Sequence, residues 1–172
     1  MNAGIDKLPD GFGKGLEMLV SLEMAKNKVS ALPEGFGKDM LFLSSVNFAD
    51  NKLEKIPTGF GKHLANLKEL RLDRNSIQTV PDDMGAGMSN LETLNLNINP
   101  ITTLPNTFGK HLKQLRQLNL SGTQLKALPK IFGDHFKTKL YLSVPYRDFN
   151  KDSIPAHVKC PPLGGAIWLE AE

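Results

Sequence analysis

Apolar and polar positions alternate with period two over short stretches, and those stretches recur every 24 residues. In residues 67–81 the apolar positions are Leu67, Leu70, Leu72, Ile77 and Val80, with Asn75 between them, so the segment reads LxxLxLxxNxIxxVP. A central L-x-L of this kind is the signature of a short strand with one buried face. The same template places Leu19, Leu22, Met24, Asn27, Val29 and Leu32 in one copy and Leu43, Val46, Phe48, Asn51, Leu53 and Ile56 in the next. It continues through Leu91, Leu94, Leu96, Asn99, Ile101 and Leu104, and then Leu115, Leu118, Leu120, Thr123, Leu125 and Leu128. Leu140, Leu142 and Val144 alternate as a sixth strand, although Lys139 occupies a leucine position.

The segments between the strands repeat as well. An apolar-Pro pair falls at Leu8-Pro9, Leu32-Pro33, Ile56-Pro57, Val80-Pro81, Leu104-Pro105 and Leu128-Pro129, without an insertion or deletion. Three residues after each Pro stands Phe12, Phe36, Phe60, Met84, Phe108 or Phe132. Proline opens and glycine punctuates these return segments, which predicts one turn of helix or 3-10 helix on the outer surface. Phe36, Phe60 and Phe108 are expected to point inward, with Met40, Leu64 and Leu112 beneath them. A fixed period of this length marks a solenoid. One unit cannot fold alone: its few buried side chains contribute about 1.5–3 kcal/mol each, whereas ordering each of its residues costs about 1–2 kcal/mol. Stacked units cover one another and pair their strands in a parallel sheet. Asn27, Asn51, Asn75 and Asn99 stand where the chain turns inward, and their amides are expected to bond backbone groups that the turn leaves unpaired.

On these residues the chain resembles the leucine-rich-repeat proteins over roughly 5–144. The resemblance implies an α/β fold: a right-handed solenoid or horseshoe, with a parallel sheet on the concave face and short helical or 3-10 turns on the convex side. The organisation expected is one repeat domain over 1–172. Residues 1–16 form a partial first repeat, 17–144 five full repeats plus the sixth strand, and 145–172 a cap anchored by Phe149, Ile154 and Trp168. The 24-residue unit matches that of extracellular members, but those place the phenylalanine one residue later and carry cysteine-clamped caps, which this sequence lacks.

Composition narrows the setting. The formal charge of +3 is spread along the chain, and the single cysteine, Cys160, excludes an intrachain disulfide. No apolar leader stretch opens the sequence and no apolar run reaches membrane-spanning length. The expectation is a soluble protein of a reducing compartment, cytoplasmic or delivered into a host cell without a signal peptide, with neither membrane nor nucleic acid as partner.

The polar columns offer little candidate chemistry. Lys14, Lys38, Lys62 and Lys110 share a convex column that Ala86 and Asp134 interrupt, which reads as a solvated face. His63, His111 and His135 share another without a carboxylate or cysteine to complete a ligand set. His157 and Cys160 lie close in sequence with no third group, so neither a metal, a cofactor nor a catalytic centre is expected. The surface free to serve a partner is the strand face. Between the central leucines stand Glu23, Asn47, Arg71, Asn95, Asn119 and Ser143; before them Glu69, Thr93, Gln117 and Tyr141; after them Asp73 and Asn97, with Arg74, Ile98 and Tyr146 at the edge. These polar, varied side chains suit a wet protein interface. Arg71, Arg74, Tyr141 and Tyr146 are of the types that dominate binding energy. The expected function is therefore non-enzymatic binding of another protein on the concave face. The regular FGKHL segments also resemble compact repeat effectors of intracellular bacteria such as Legionella. That resemblance implies a host protein or another bacterial protein as partner, regulated or inhibited by occlusion of an enzyme. The alternative is a structural subunit, a homodimer formed through the uncapped edge near Ser21 to Ala25.

Overall fold

The computed structural model describes residues 3–136, 139–145, 147–154, 158–159 and 166–169, the last two segments and Lys151 by backbone alone. Six short strands carry the array: β1 (Ser21–Glu23), β2 (Ser45–Asn47), β3 (Glu69–Arg71), β4 (Thr93–Asn95), β5 (Gln117–Asn119) and β6 (Leu140–Ser143). Neighbours pair in parallel with a uniform register, Leu22 against Val46, Val46 against Leu70, Leu70 against Leu94, Leu94 against Leu118 and Leu118 against Leu142. Two further strands, β7 (Val158–Lys159) and β8 (Ala166–Leu169), run antiparallel, and the sheet order is β1-β2-β3-β4-β5-β6-β8-β7. The chain thus closes the β6 edge with a strand of opposite direction, Tyr141 opposite Trp168.

The core is one continuous stack of the template positions, with Leu70, Leu72, Ile77, Leu94, Leu96 and Ile101 all buried. Against them lies a spine of return-segment aromatics. Phe36 stacks on Phe12 and Phe60 at 6.2 and 5.4 Å between ring centroids, and Phe108 stacks on Phe132 at 6.0 Å. Met84, buried in the same column, separates the two stacks. Met40, Leu64 and Leu112 are buried beneath, as the spacing predicts. Of the expected cap anchors, Phe149 and Ile154 pack partly buried on the core.

The return segments are not helical. Among the described residues the one helical turn is a 3-10 turn at Lys151–Ser153, beyond the repeats. Each return segment is instead a run of tandem turns bonded at alternate residues. In one coil the Phe36 N–H donates to the Pro33 carbonyl, Lys38 to Gly35 and Met40 to Gly37. Gly35 and Gly37 have φ of 70° and 85°, whereas a helix needs φ near −60° throughout. Alternate glycines therefore turn the chain out of the helical region before a second consecutive bond can form. Gly37 is needed for packing too: a Cβ there would lie 2.3 Å from Leu64 of the next coil.

The asparagine ladder is present. Asn75 Nδ2 donates to the carbonyls of Phe48, Leu72 and Asp73 at 2.9, 3.0 and 3.2 Å, and its Oδ1 accepts the Leu53 N–H at 2.9 Å. One amide thereby ties its own turn to the coil before it. Asn51 and Asn99 repeat the pattern. Thr123, in the same column, offers one hydroxyl, which donates to the Leu120 carbonyl at 2.7 Å.

Candidate functional site

Because the register is uniform, the strands align their outward side chains in two rows. Ser21, Ser45, Glu69, Thr93, Gln117 and Tyr141 form the first; Glu23, Asn47, Arg71, Asn95, Asn119 and Ser143 form the second. Every residue of the two rows is exposed or half-buried. Over β4 to β6 they enclose a shallow depression of about 220 Å³ lined by Thr93, Asn95, Gln117, Asn119, Tyr141 and Ser143.

The second row is less free than the sequence implies, because its side chains also hold the strand exits. The N–H groups of Ala49, Asn97 and Ser121 donate to Oδ1 of Asn47, Asn95 and Asn119 at 2.9, 3.2 and 3.0 Å. The Ala25 N–H donates likewise to Glu23 Oε1 at 3.1 Å. Each is a short side chain bonding its own backbone two residues on, the local turn that Asn and Asp favour. Asp73 departs further from expectation: it is buried, with Arg71 Nε donating to its Oδ1 at 3.3 Å. That hydrogen bond, helped by Glu69 and Glu23, holds the Arg71 guanidinium above its ordinary pKa despite partial burial. Asn97 lies beside it in the next coil, with its Oδ1 buried and unpaired.

The edge column behaves differently. Lys26, Asp50, Arg74 and Ile98 all have φ between 52° and 58°, and Gly122 continues the column at 67°. This left-handed residue lets each strand exit into its asparagine turn, and its N–H still bonds across, Arg74 to the Asn97 carbonyl and Ile98 to Ser121. Glycine adopts that conformation freely and Asn or Asp readily; other residues pay about 1–2 kcal/mol, and a β-branched one is the least expected there. Ile98 accepts that strain while 44% exposed. The sequence held the signal in Gly122 at the same column, but only the backbone angle makes Ile98 anomalous. Arg74 projects from the neighbouring coil, 3.9 Å from Asp50 in an exposed ion pair.

Charge divides the face. Glu23, Asp50, Glu69, Arg71, Asp73 and Arg74 crowd the first three strands and their exits, whereas β4 to β6 carry neutral Thr93, Asn95, Gln117, Asn119 and Tyr141. Tyr146, His157 and Cys160 lie outside the described residues. Among the described residues no group of three or more His, Cys, Asp or Glu could hold a metal, and no helix is long and apolar enough to cross a membrane.

Comparison with known proteins agrees with this geometry. The leucine-rich-repeat family profile matches residues 42–101 and 65–125. A solved leucine-rich-repeat protein of Leptospira interrogans superposes with a TM-score of 0.69 at 31% identity, over 80% of this chain and 33% of that one. This chain thus spans a third of the length of the protein it resembles. No curated protein shows significant similarity. The register of the six parallel strands, the asparagine ladder and the profile match over residues 42–125 agree on a solenoid similar to the leucine-rich repeats.

Proposed function

We propose that the exposed sheet face and its exit edge bind a partner protein, with Ile98 as the apolar anchor and Arg71, Arg74 and Tyr141 as further contact residues; Tyr146, expected among them from the sequence, lies outside the described residues. The observation that carries this reading is the strain at Ile98. A Gly or Asn at that position would relieve it, and the side chain is too exposed to repay it through the core. Strain kept at an exposed position is the mark of a residue retained for contact. The flanking arginines and tyrosine supply the types on which binding energy concentrates, and the mixed charge of β1 to β3 suits a protein surface better than a uniformly anionic one. In the finer form of this reading the partner is a host protein or another bacterial protein, and the chain acts as a delivered effector that occludes an enzyme cleft.

The test is affinity capture by the immobilised chain from host and bacterial lysates, run beside Ile98→Asn and the convex control Lys62→Ala. Ile98→Asn is expected to melt no lower than the parent, gaining up to about 1 kcal/mol from relief of strain, while losing the captured partner. Lys62→Ala is expected to retain it. Capture that survives Ile98→Asn and is lost with Lys62→Ala places the site on the opposite side.

A further inference from the structure

The outward rows of the sheet change character between β3 and β4. In the first three coils the polar side chains answer one another: Asn47 Nδ2 donates to Glu23 Oε2 at 2.9 Å, and Arg71 Nε to Asp73 Oδ1 at 3.3 Å. In the next two coils the amides are held at one end only. Oδ1 of Asn95 and of Asn119 accepts the N–H two residues on, at 3.2 and 3.0 Å, and Asn119 Oδ1 takes the Ser121 hydroxyl as well, at 2.7 Å. Those bonds fix the plane of each amide and turn its Nδ2 outward. Among the described residues neither Nδ2 has a partner, and neither is shut off from solvent. An oriented donor thus stands open on two successive rungs, where in β2 the same donor is occupied by a carboxylate.

These donors border the depression of about 220 Å³ over β4 to β6. Register sets Thr93 beside Gln117 and Gln117 beside Tyr141 in one row, with Asn95 beside Asn119 and Asn119 beside Ser143 in the other. Hydroxyls and amides therefore neighbour one another across the site, and no Lys, Arg, Asp or Glu lines it. The ring of Tyr141, 42% exposed, closes one end. A charged ligand would enter without a counter-charge, and an apolar one would strip water from amides that it could not bond. The volume falls below the roughly 300 Å³ of a pocket that encloses a small molecule, so the ligand lies across the sheet rather than inside it. An extended peptide crossing the strands, at about 3.3 Å per residue, runs out of step with rungs about 4.8 Å apart. A sugar ring needs no such register. Its rim carries hydroxyls that each donate or accept, and its C–H groups suit the negative face of an aromatic ring.

We propose that the depression over β4 to β6 is a binding site for a neutral oligosaccharide. Nδ2 of Asn95 and Asn119 donates to hydroxyl oxygens along one side of a sugar ring. Thr93 and Gln117 bond hydroxyls along the other side, and the C–H face of the ring, or of its neighbour in the chain, rests on Tyr141. A few neutral hydrogen bonds on an open surface hold such a ligand in the millimolar range. Because no charge is involved, the affinity does not change with salt. This site goes beyond the protein partner proposed above and shares only Tyr141 with it.

The test is a titration of the full chain, labelled with nitrogen-15, in which the side-chain amide resonances of Asn95 and Asn119 are followed by NMR. The probes are maltotetraose, cellotetraose and chitotetraose, with tetragalacturonic acid as the charged control and a neutral Gly-Ser peptide as the competing class. At least one neutral sugar is expected to shift both amides saturably, equally at low and high salt, while the control does not. Asn95→Ser and Asn119→Ser each keep an oxygen for the N–H two residues on, and Ser143 already stands in that row. Each should leave the melting temperature within a degree or two and weaken the sugar about tenfold, the loss of one donor. Ile98→Asn should leave the titration unchanged, so failure of the protein partner and failure of the sugar are separate results. The proposal is overturned if no neutral sugar saturates, or if both serine variants bind as the parent does. It is likewise overturned if the charged control or the peptide shifts the same amides at lower concentration than any neutral sugar.

Discussion

The two ends of the sheet solve the same problem in opposite ways. β6 presents its outer edge to β8, an antiparallel strand of the same chain, whereas β1 pairs with β2 alone among the described residues and is bordered by exposed Met18, Val20, Leu41 and Phe42. Between them each coil is completed by the coils on either side, which is what a solenoid offers in place of a conventional core. Among the described residues the first coil meets a neighbour on one side, so its apolar residues are covered from that side. Leu8, Phe12, Leu19 and Leu22 of the first coil are only partly buried, although their counterparts one coil on are Leu32, Phe36, Leu43 and Val46, all buried. The same residue type therefore contributes differently according to its rung.

That difference is open to direct attack. The largest effect should come from the aromatic spine. Phe36→Ala removes a fully buried ring that stacks on two others and is expected to destabilise by about 3–5 kcal/mol. Phe12→Ala, at the open end, should cost less than about 2 kcal/mol, because its ring is covered on one face. Equal shifts in urea midpoint for the two variants would abolish the distinction between end and interior. The asparagine ladder gives a smaller contrast of the same kind. Asn75→Ala strands the Leu53 N–H and three carbonyls and should cost about 1–3 kcal/mol. Among the described residues Asn27 Nδ2 reaches only the Met24 and Ala25 carbonyls of its own turn. Its replacement by Ala should lower the melting temperature by less. Smallest, and opposite in sign, is Thr123→Asn. Its amide would reach the Leu96, Leu120 and Ser121 carbonyls and accept the Ile101 N–H, for a gain of about 1 kcal/mol. An unchanged melting temperature would mean that the turn at Thr123 is already satisfied.

How far the site can be read from the sequence differs by column. The two rows of the sheet face follow from alternation alone, since a period of two leaves no choice of side for Glu69 and Arg71 once Leu70 is inside. Their availability does not follow. Asn47, Asn95 and Asn119 look like free surface in sequence but accept the amide two residues on. Asp73 looks exposed by position but is buried against Arg71. Both facts depend on how the chain bends after the strand. Ile98 shows the converse. Its place at the edge of the face follows from the sequence, whereas its left-handed φ of 52° does not.

What the sequence by itself determined is everything that a strict 24-residue translation dictates: strand positions, register, the buried columns, the phenylalanine spine and the asparagine ladder. Identical neighbours one period apart must meet identical neighbours, so local pattern and tertiary contact carry the same information. What only the tertiary structure decided lies where translation fails or where backbone angle matters. The return segments form tandem turns rather than helix, with Gly35, Gly37, Gly85 and Gly109 at positive φ, an outcome that residue type permits but does not compel. The closure of the β6 edge by β8, and the exposure of Met18 and Phe42 beside β1, depend on how the flanking coils are covered, and no repeat unit encodes its own place in the stack.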